Sequence, residues 1–186
     1  MLFRSNIEVL ILNIFVVDKC PVLAAAALPD KYSGKMALET AQMISVIYSK
    51  WYYDWGTIPK KDGTPYNTVK GAFKKHPCTI WSSLSYENLA WLIRHGYALC
   101  NEFERRYGKT HSCFNTIHVA ENIFTSKTKE TISIYKNVKS FVRAMPDEFK
   151  YDNTIDTFEA YRRYVASKPW VKDNYLKIPS RKPEWV

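Results

Sequence analysis

Glu39 is the acidic residue best placed for chemistry in this sequence, because it interrupts an otherwise apolar stretch and follows Lys35 by four residues. Side chains four residues apart lie on the same face of an α-helix, so the ammonium group would sit beside the carboxylate. In dry surroundings a carboxylate can be tuned for general acid or base catalysis. The same spacing also suits a solvated ion pair, and the residues alone leave both interpretations open.

The histidines are further candidates, each with a structural alternative. His76 ends a lysine-rich segment and suits either a phosphate contact or the cap of a following helix. His95 and Glu102 are seven residues apart and share a helix face, which favours a pair in the core or on the surface. Cys113 lies close to His111, but neighbours in sequence do not predict a catalytic dyad.

The spacing of the cysteines and the absence of common motifs argue against a zinc site and against several classes of enzyme. No two of the four cysteines form a CxxC pair, which argues against a structural zinc site and is typical of reduced, mostly buried thiols. The sequence also lacks the motifs of P-loop, dinucleotide-binding, zincin, hydrolase and zinc-deaminase proteins. We therefore predict a function without a bound metal or cofactor.

Charge and aromatic content predict a nucleic-acid partner. Lysine and arginine outnumber aspartate and glutamate by 27 to 18, and the resulting charge of +9 attracts polyanions, although surface lysine can also serve solubility alone. Lysines and aromatic residues alternate around residues 54–77, where they can neutralise phosphates and stack on exposed bases. Single-stranded or distorted duplex substrates suit such a surface. Its candidate members are Tyr53, Trp55, Tyr66, Lys70, Lys74, Lys75, Arg105 and Arg106.

A mainly α fold must position these candidates. Apolar periodicity predicts helices at residues 21–28, 34–53, 86–107, 114–124 and 155–166. Ser85 suits the N-cap of the longest helix and Gly108 its termination, while Asp152 or Asn153 would cap the last one. Residues 14–17 suit a strand or an extended entry, and residues 127–145 suit either helix or strand. We predict one compact helical domain, residues 13–186, with a long basic, aromatic-rich loop.

The start of the chain loosely resembles a secretory signal. However, Glu8 and Asn13 interrupt its apolar run, and Asp18 and Lys19 separate that run from the small residues that follow. The run is also too short to span a bilayer. We interpret residues 1–12 as an extension before a core segment, and expect a cytoplasmic monomer without a membrane partner.

Several motifs resemble those of the phage pyrimidine-dimer DNA glycosylases of the endonuclease V type. Leu-Pro-Asp-Lys-Tyr at residues 28–32 resembles that family's L-x-D-x-H segment, and the separation from Asp30 to Glu39 matches the family's separation between this aspartate and its catalytic glutamate. Gly-Ala before His76, Leu-Cys-x-Glu and Arg-Arg-Tyr-Gly in the long helix, and Lys-Pro-x-Trp near the end are also similar. The chain looks, too, like a wider group of uncharacterised phage proteins.

This resemblance implies a helical fold that binds damaged or distorted duplex DNA across a basic surface and flips a nucleotide out of the stack. In the family an N-terminal amine attacks the sugar carbon and forms a Schiff base, while the glutamate assists the proton transfers. Carried onto this sequence, Glu39 takes the role of the glutamate and Asn13 stands near the comparable N-terminal position. Further substrate contacts are expected from Lys31, Tyr32, Lys35, Gln42 and His76.

Three departures from the family pattern bear on this mechanism. Twelve residues precede Asn13, and only translation from an alternative start at Leu12 would make it the second residue. Even then, an asparagine in that position usually retains the initiator methionine. Tyr32 replaces the expected histidine, and Gln42 stands where the family has an arginine that contacts DNA.

The leading hypothesis is a phage-encoded DNA-repair glycosylase for damaged pyrimidines, with or without abasic-site lyase activity, in the bacterial host cell. Lys31 or Lys35 would supply a substitute amine if Asn13 does not. A non-catalytic DNA-binding phage protein is the second hypothesis. The third is a phage enzyme of nucleotide or base modification that uses Glu39 on a different substrate.

Overall fold

Helices form most of the structure, a computed structural model that describes residues 12–186. This part of the chain is one compact helical domain without a β-strand, which confirms the predicted fold class. None of its helices is both long and apolar enough to cross a bilayer. The α-helices are α1 (Pro21–Ala26), α2 (Asp30–Tyr48), α3 (Pro77–Ser83), α4 (Tyr86–Tyr107), α5 (Phe114–Thr128), α6 (Asp147–Lys150) and α7 (Thr157–Ala166), and 3-10 turns occupy Ile132–Asn137, Val171–Asp173 and Pro179–Arg181.

Helix α4 is the central helix, and its bounds agree with those predicted. The Ser85 side chain accepts a hydrogen bond from the backbone N–H of Asn88 at 3.2 Å, which caps the first turn. At the other end Gly108 adopts the left-handed conformation that terminates helices. Because one face of α4 is strongly apolar, it packs against α1, α2, α3 and α5.

Helix α2 carries Glu39 and begins earlier than predicted. Pro29 precedes its first residue in an extended conformation, and the Asp30 side chain accepts hydrogen bonds from two backbone N–H groups of the C-terminal tail. Gly34, taken from sequence as the start, lies inside the helix against Phe103. The helix ends at Tyr48, because Ser49 is extended and turns the chain away.

A glycine sets the spacing between α2, α4 and α5. A Cβ atom on Gly96 would lie 2.9 Å from both the Thr40 methyl group and a terminal carbon of Ile117. Side chains do not pack that closely, so alanine at this position would push the three helices apart. The close approach holds α2, and with it Glu39, in a fixed position.

The chain before α1 threads through the core without forming a strand. Ile14 and Val16 are fully buried, and the Phe15 ring stacks on Tyr32 with centroids 4.5 Å apart. Phe15 has a positive φ of 39°, which is strained for a bulky residue and is held by this packing. Residues 12–17 are therefore a structural part of the domain.

Residues 127–145 form neither a long helix nor a strand. They contain the end of α5, the 3-10 turn at Ile132–Asn137 and an extended stretch that packs beside α3, α4 and α7. The last long helix starts later than predicted, because Asp156 rather than Asp152 or Asn153 caps it by accepting the backbone N–H of Glu159 at 2.8 Å. The extended stretch matters for the site below, since it carries the carbonyl of Ala144.

His95 is buried in the core rather than paired with the equally buried Glu102. Its ring stacks on Trp91, and Nδ1 lies 3.0 Å from the carbonyl oxygen of Pro21, to which a neutral imidazole donates. Burial lowers the pKa of His95 to about 4, whereas Glu102 accepts hydrogen bonds from Arg105 and Arg181. His95 is therefore a neutral core residue at physiological pH.

We expect the chain to lose stability between pH 6.5 and pH 4 because of His95. The unfolded histidine gains a proton near 6.5 and the folded one only near 4, so protons favour the unfolded state in this window. The loss would reach roughly 3 kcal/mol at the acid end. Urea unfolding of His95→Phe should show a smaller decline over the same window. An undiminished decline in this variant would contradict the assignment.

Candidate active site

Glu39 lies in the wall of a small pocket, with its carboxylate turned toward the N-terminal segment. Only 5% of the residue is exposed. One carboxylate oxygen accepts a hydrogen bond from the backbone nitrogen of Asn13 at 2.9 Å, across 26 residues of sequence. The backbone nitrogen at position 13 and the carboxylate of α2 are thus brought into direct contact.

Asn13 is held by hydrogen bonds to its side chain. Its amide nitrogen donates to the carbonyl oxygen of Ala144 at 2.6 Å, and its side-chain oxygen accepts from the backbone N–H groups of Ile14 and Phe15 at 2.7 and 2.9 Å. Asparagine favours this kind of local turn because its short side chain can bond to the backbone just after it. The backbone nitrogen is therefore fixed in orientation toward Glu39.

Lys35 is the third member of a polar cluster that also contains Asn13 and Glu39. Its ammonium nitrogen lies 3.3 Å from the other carboxylate oxygen of Glu39, and about a third of the lysine side chain is exposed. Burial raises the pKa of Glu39 above its ordinary value, while the Asn13 N–H and the Lys35 charge oppose that rise. The sequence left open a solvated ion pair between Lys35 and Glu39. The pair forms, but the Glu39 carboxylate is buried rather than solvated.

The pocket itself has a volume of about 150 Å³. A cavity of this volume can hold several water molecules or one sugar or base ring. Two apolar side chains at its mouth are substantially exposed, Leu38 at 43% and Phe73 at 40%. The residues that line it are Leu12, Lys35, Leu38, Glu39, Gln42 and Phe73.

The predicted basic residues of the loop lie on either side of Phe73 in sequence, and Phe73 lines the pocket. Lys70 and Lys75 are exposed, and Lys74 comes next after Phe73. The ammonium nitrogen of Lys74 lies 3.2 Å from the ring centre of Trp51, a cation–π contact that fixes the lysine on the loop. A positive surface therefore adjoins the pocket.

The aromatic residues predicted to stack on bases are instead packed on one another. Tyr53 and Trp55 stack with centroids 4.6 Å apart, and Trp55 also contacts Tyr48 and Phe124. Tyr66 is half-buried. These rings attach the loop to the core, so their faces are occupied by protein.

Tyr32 and Lys31 also have structural neighbours. Tyr32 is buried between Phe15 and the edge of Trp170, while the Lys31 ammonium group lies 4.5 Å from the centre of the same tryptophan ring. Tyr32 cannot touch a substrate in this position. It supports the segment that carries Asn13.

Arg106 is likewise unavailable to a substrate, whereas Arg105 is not. Arg106 is buried and donates to the carbonyl oxygens of Leu28 and Ala26 at 2.7 and 3.0 Å, so it joins α4 to the end of α1. More than half of the Arg105 side chain is exposed, and it pairs with Glu102. The expectation that both arginines bind DNA thus fails for Arg106 because its guanidinium group is buried.

Two histidines have capping or turn roles. His76 Nδ1 accepts the backbone N–H of Cys78 at 3.2 Å and caps α3, the structural alternative considered from sequence. His111 Nδ1 accepts the backbone N–H of Cys113 at 3.0 Å. Burial raises the pKa of the Cys113 thiol, which disfavours the nucleophilic thiolate.

Sequence reasoning misses Phe73, Leu38 and Ala144. The only local signal for Phe73 is a large apolar residue directly before two lysines in a loop. Leu38 resembles an ordinary apolar residue of a helix, and Ala144 contributes only its backbone carbonyl. Such residues become visible as site residues only when the fold brings them together.

One protein-family model matches the chain. It is described as pyrimidine dimer DNA glycosylase, and the match covers residues 12–115, more than half of the 186 residues. The matched region starts one residue before Asn13 and contains every residue that lines the pocket. No curated protein and no solved structure shows a significant similarity to the chain.

Proposed function

Because the chain belongs to the pyrimidine dimer DNA glycosylase family, we propose that it removes damaged pyrimidines from duplex DNA and then cleaves the abasic strand. One observation carries the proposal. The backbone nitrogen of Asn13, a buried residue, lies 2.9 Å from the carboxylate of Glu39, and Glu39 lines the pocket. An amine and a carboxylate in hydrogen-bond contact are what imine chemistry at a sugar carbon requires.

The amine of a chain that begins at Asn13 would act as the nucleophile. Its nitrogen bonds to C1′ of the damaged nucleotide while the bond from C1′ to the pyrimidine breaks, and the base leaves with the bonding electrons and a proton. Loss of the amine proton and opening of the sugar ring then give the imine. An α-amine has a pKa near 8, so a useful fraction is unprotonated at neutral pH.

Glu39 would carry the protons in this scheme. As a carboxylate it accepts the proton of the attacking amine, and as a carboxylic acid it returns a proton to the opening ring oxygen. Removal of a C2′ proton then expels the 3′ phosphate and breaks the strand, and water releases the protein. A carboxyl whose pKa is raised by burial exchanges protons more readily near neutral pH than an exposed one.

The nucleophile requires a free amine at position 13. In the full chain the Asn13 nitrogen belongs to a peptide bond, and its lone pair is delocalised. Translation from Leu12 with loss of the initiator residue, or cleavage before Asn13, would supply the amine. The Lys35 amine is the second candidate, because it also lines the pocket and lies 3.3 Å from Glu39.

The phosphates of the substrate would follow the cationic residues around the pocket. Lys35 lies inside it, and Lys74 and Lys75 directly follow Phe73 at its mouth. Phosphate neutralisation by such lysines is independent of sequence and weakens with salt. The lesion, rather than the base sequence, would then determine where the protein acts.

We expect a protein that begins at Asn13 to nick a duplex at a single cyclobutane pyrimidine dimer, and to nick the same duplex without damage at least about 100-fold more slowly. Gel analysis of an end-labelled strand measures both rates. Salt-sensitive binding without any product would instead favour the non-catalytic DNA-binding protein. Turnover of a free nucleotide, with no action on the dimer, would favour the base-modification enzyme.

A further inference from the structure

Phe73 is a large apolar side chain held at the mouth of the Glu39 pocket. It is 40% exposed although an aromatic ring gains by burial, and Leu38 on α2 lines the same pocket with 43% exposure. The rest of the lining comes from Leu12, Lys35, Glu39 and Gln42. The exposed part of this lining is mainly apolar, which suits the apolar face of a ligand.

The backbone of Phe73 is strained although its side chain is substantially exposed. Its φ is 65°, in the left-handed region that a bulky side chain rarely adopts. Gly71, two residues earlier, has a φ of 62°, and a Cβ there would lie 2.6 Å from the Trp51 ring. Strain of this kind persists where neighbouring contacts over-determine a turn, and such turns cluster at functional sites.

Four contacts hold that turn. The Trp51 ring N–H donates to the carbonyl oxygen of Thr68 at 2.8 Å, and Lys74 covers the face of the same ring at 3.2 Å. Tyr52 donates through its hydroxyl to the carbonyl oxygen of Lys74, and the Phe73 carbonyl accepts the backbone N–H of His76 at 2.9 Å. The ring of Phe73 is thus presented from a fixed backbone.

We propose that Phe73, supported by Leu38, is a wedge that enters the base stack next to the damaged pyrimidine and exposes its sugar to Asn13 and Glu39. The inference rests on the function proposed above. The pocket of about 150 Å³ has the size of one sugar or base ring, so a nucleotide drawn out of the base stack can reach Glu39. Apolar side chains inserted between base pairs unstack and kink duplex DNA, and the adjacent Lys74 and Lys75 can bind the flanking phosphates.

The test uses the full chain and a dimer-containing duplex with the fluorescent base 2-aminopurine beside the lesion. Unstacking raises the fluorescence of this base, so the parent protein should raise it on binding. Phe73→Ala should reduce that rise about tenfold while binding of undamaged duplex stays within twofold. Phe73→Leu, which keeps an apolar wedge, should retain most of it. Leu84→Ala, at another exposed leucine, is the matched control and should behave like the parent.

An equal fluorescence rise for Phe73→Ala and the parent would overturn the wedge, as would an equal loss in the Leu84→Ala control. Phe73→Gly keeps the positive φ without strain, so it provides a well-folded second variant without the ring. Because this readout needs binding only, it decides the role of Phe73 even if no form of the protein cleaves DNA. Failure to cleave a preformed abasic site would instead count against the proposed function.

Discussion

Replacing Glu39 by glutamine is expected to slow strand cleavage at a pyrimidine dimer by about 100-fold or more, with DNA binding within twofold of the parent. Glutamine keeps the size of the side chain and can still accept the Asn13 hydrogen bond, but it can neither take nor return a proton. The full effect should appear in the single-turnover rate of a form that begins at Asn13. A rate within fivefold of the parent would show that Glu39 does not carry the protons.

A second glutamate that forms an ion pair, but does not line the pocket, provides a matched control. Glu159 pairs with Arg163 at the same four-residue spacing as Lys35 with Glu39, with 2.8 Å between the charged groups, but both side chains are partly exposed. Glu159→Gln therefore removes the same chemical group from an ion pair outside the pocket. It should leave cleavage unchanged, and an equal loss in both variants would indicate a general effect of charge.

Loss of activity in Glu39→Gln should not come from loss of stability. Burial raises the pKa of Glu39, so the folded chain binds this proton more tightly than the unfolded chain does. The stability contributed by this carboxyl is full below its ordinary pKa of 4.5 and is lost as the pH rises through the raised value. Glutamine mimics the neutral form, so the variant should be at least as stable as the parent at pH 7.

The second large effect is expected from the position at which the chain begins. A form that starts at Asn13 places a primary amine 2.9 Å from Glu39, whereas the full chain has a peptide nitrogen there. We expect at least about 100-fold faster cleavage of an abasic duplex by the shorter form, because only its nitrogen has a free lone pair. Single-turnover gel assays on both forms, with matched thermal unfolding curves, measure the difference.

A form that starts at Leu12 is the control for the position of the amine. It carries a primary amine too, but one residue earlier, and consecutive residues are about 3.8 Å apart along the chain. A displacement of this size should lower the rate about 100-fold or more relative to the form that starts at Asn13. Equal activity of the full chain and both shorter forms would exclude Asn13 as the nucleophile and direct attention to Lys35.

The fold was predictable from sequence where local signals determine it. Helix α4 has the bounds expected from its cap at Ser85, its apolar face and Gly108, because capping and left-handed glycine act within one turn. Helix α2 started four residues early because an extended Pro29 and the tail contacts of Asp30 outweigh the low helix propensity of Gly34. The family membership, suggested by scattered motifs, is confirmed by the match over residues 12–115.

The geometry of the candidate site was predictable only in part, because it depends on contacts between distant residues. The motif separation pointed to Glu39, but nothing local shows that Asn13, 26 residues earlier, donates to it or that Ala144 holds Asn13 in place. Burial also overturns a prediction that was made from residue type alone. Arg106 reads as a DNA contact by charge, yet its guanidinium group bonds to backbone carbonyls inside the protein.

Borohydride trapping on an abasic duplex tests the central claim most directly, because reduction converts the imine into a stable bond between protein and DNA. The form that begins at Asn13 should give a covalent adduct, and peptide mass spectrometry should locate the DNA on the α-nitrogen of Asn13. Glu39→Gln in this form should trap far less. An adduct on Lys35 would contradict the assignment of the nucleophile. No adduct with any form, despite normal folding and DNA binding, would contradict the imine mechanism itself.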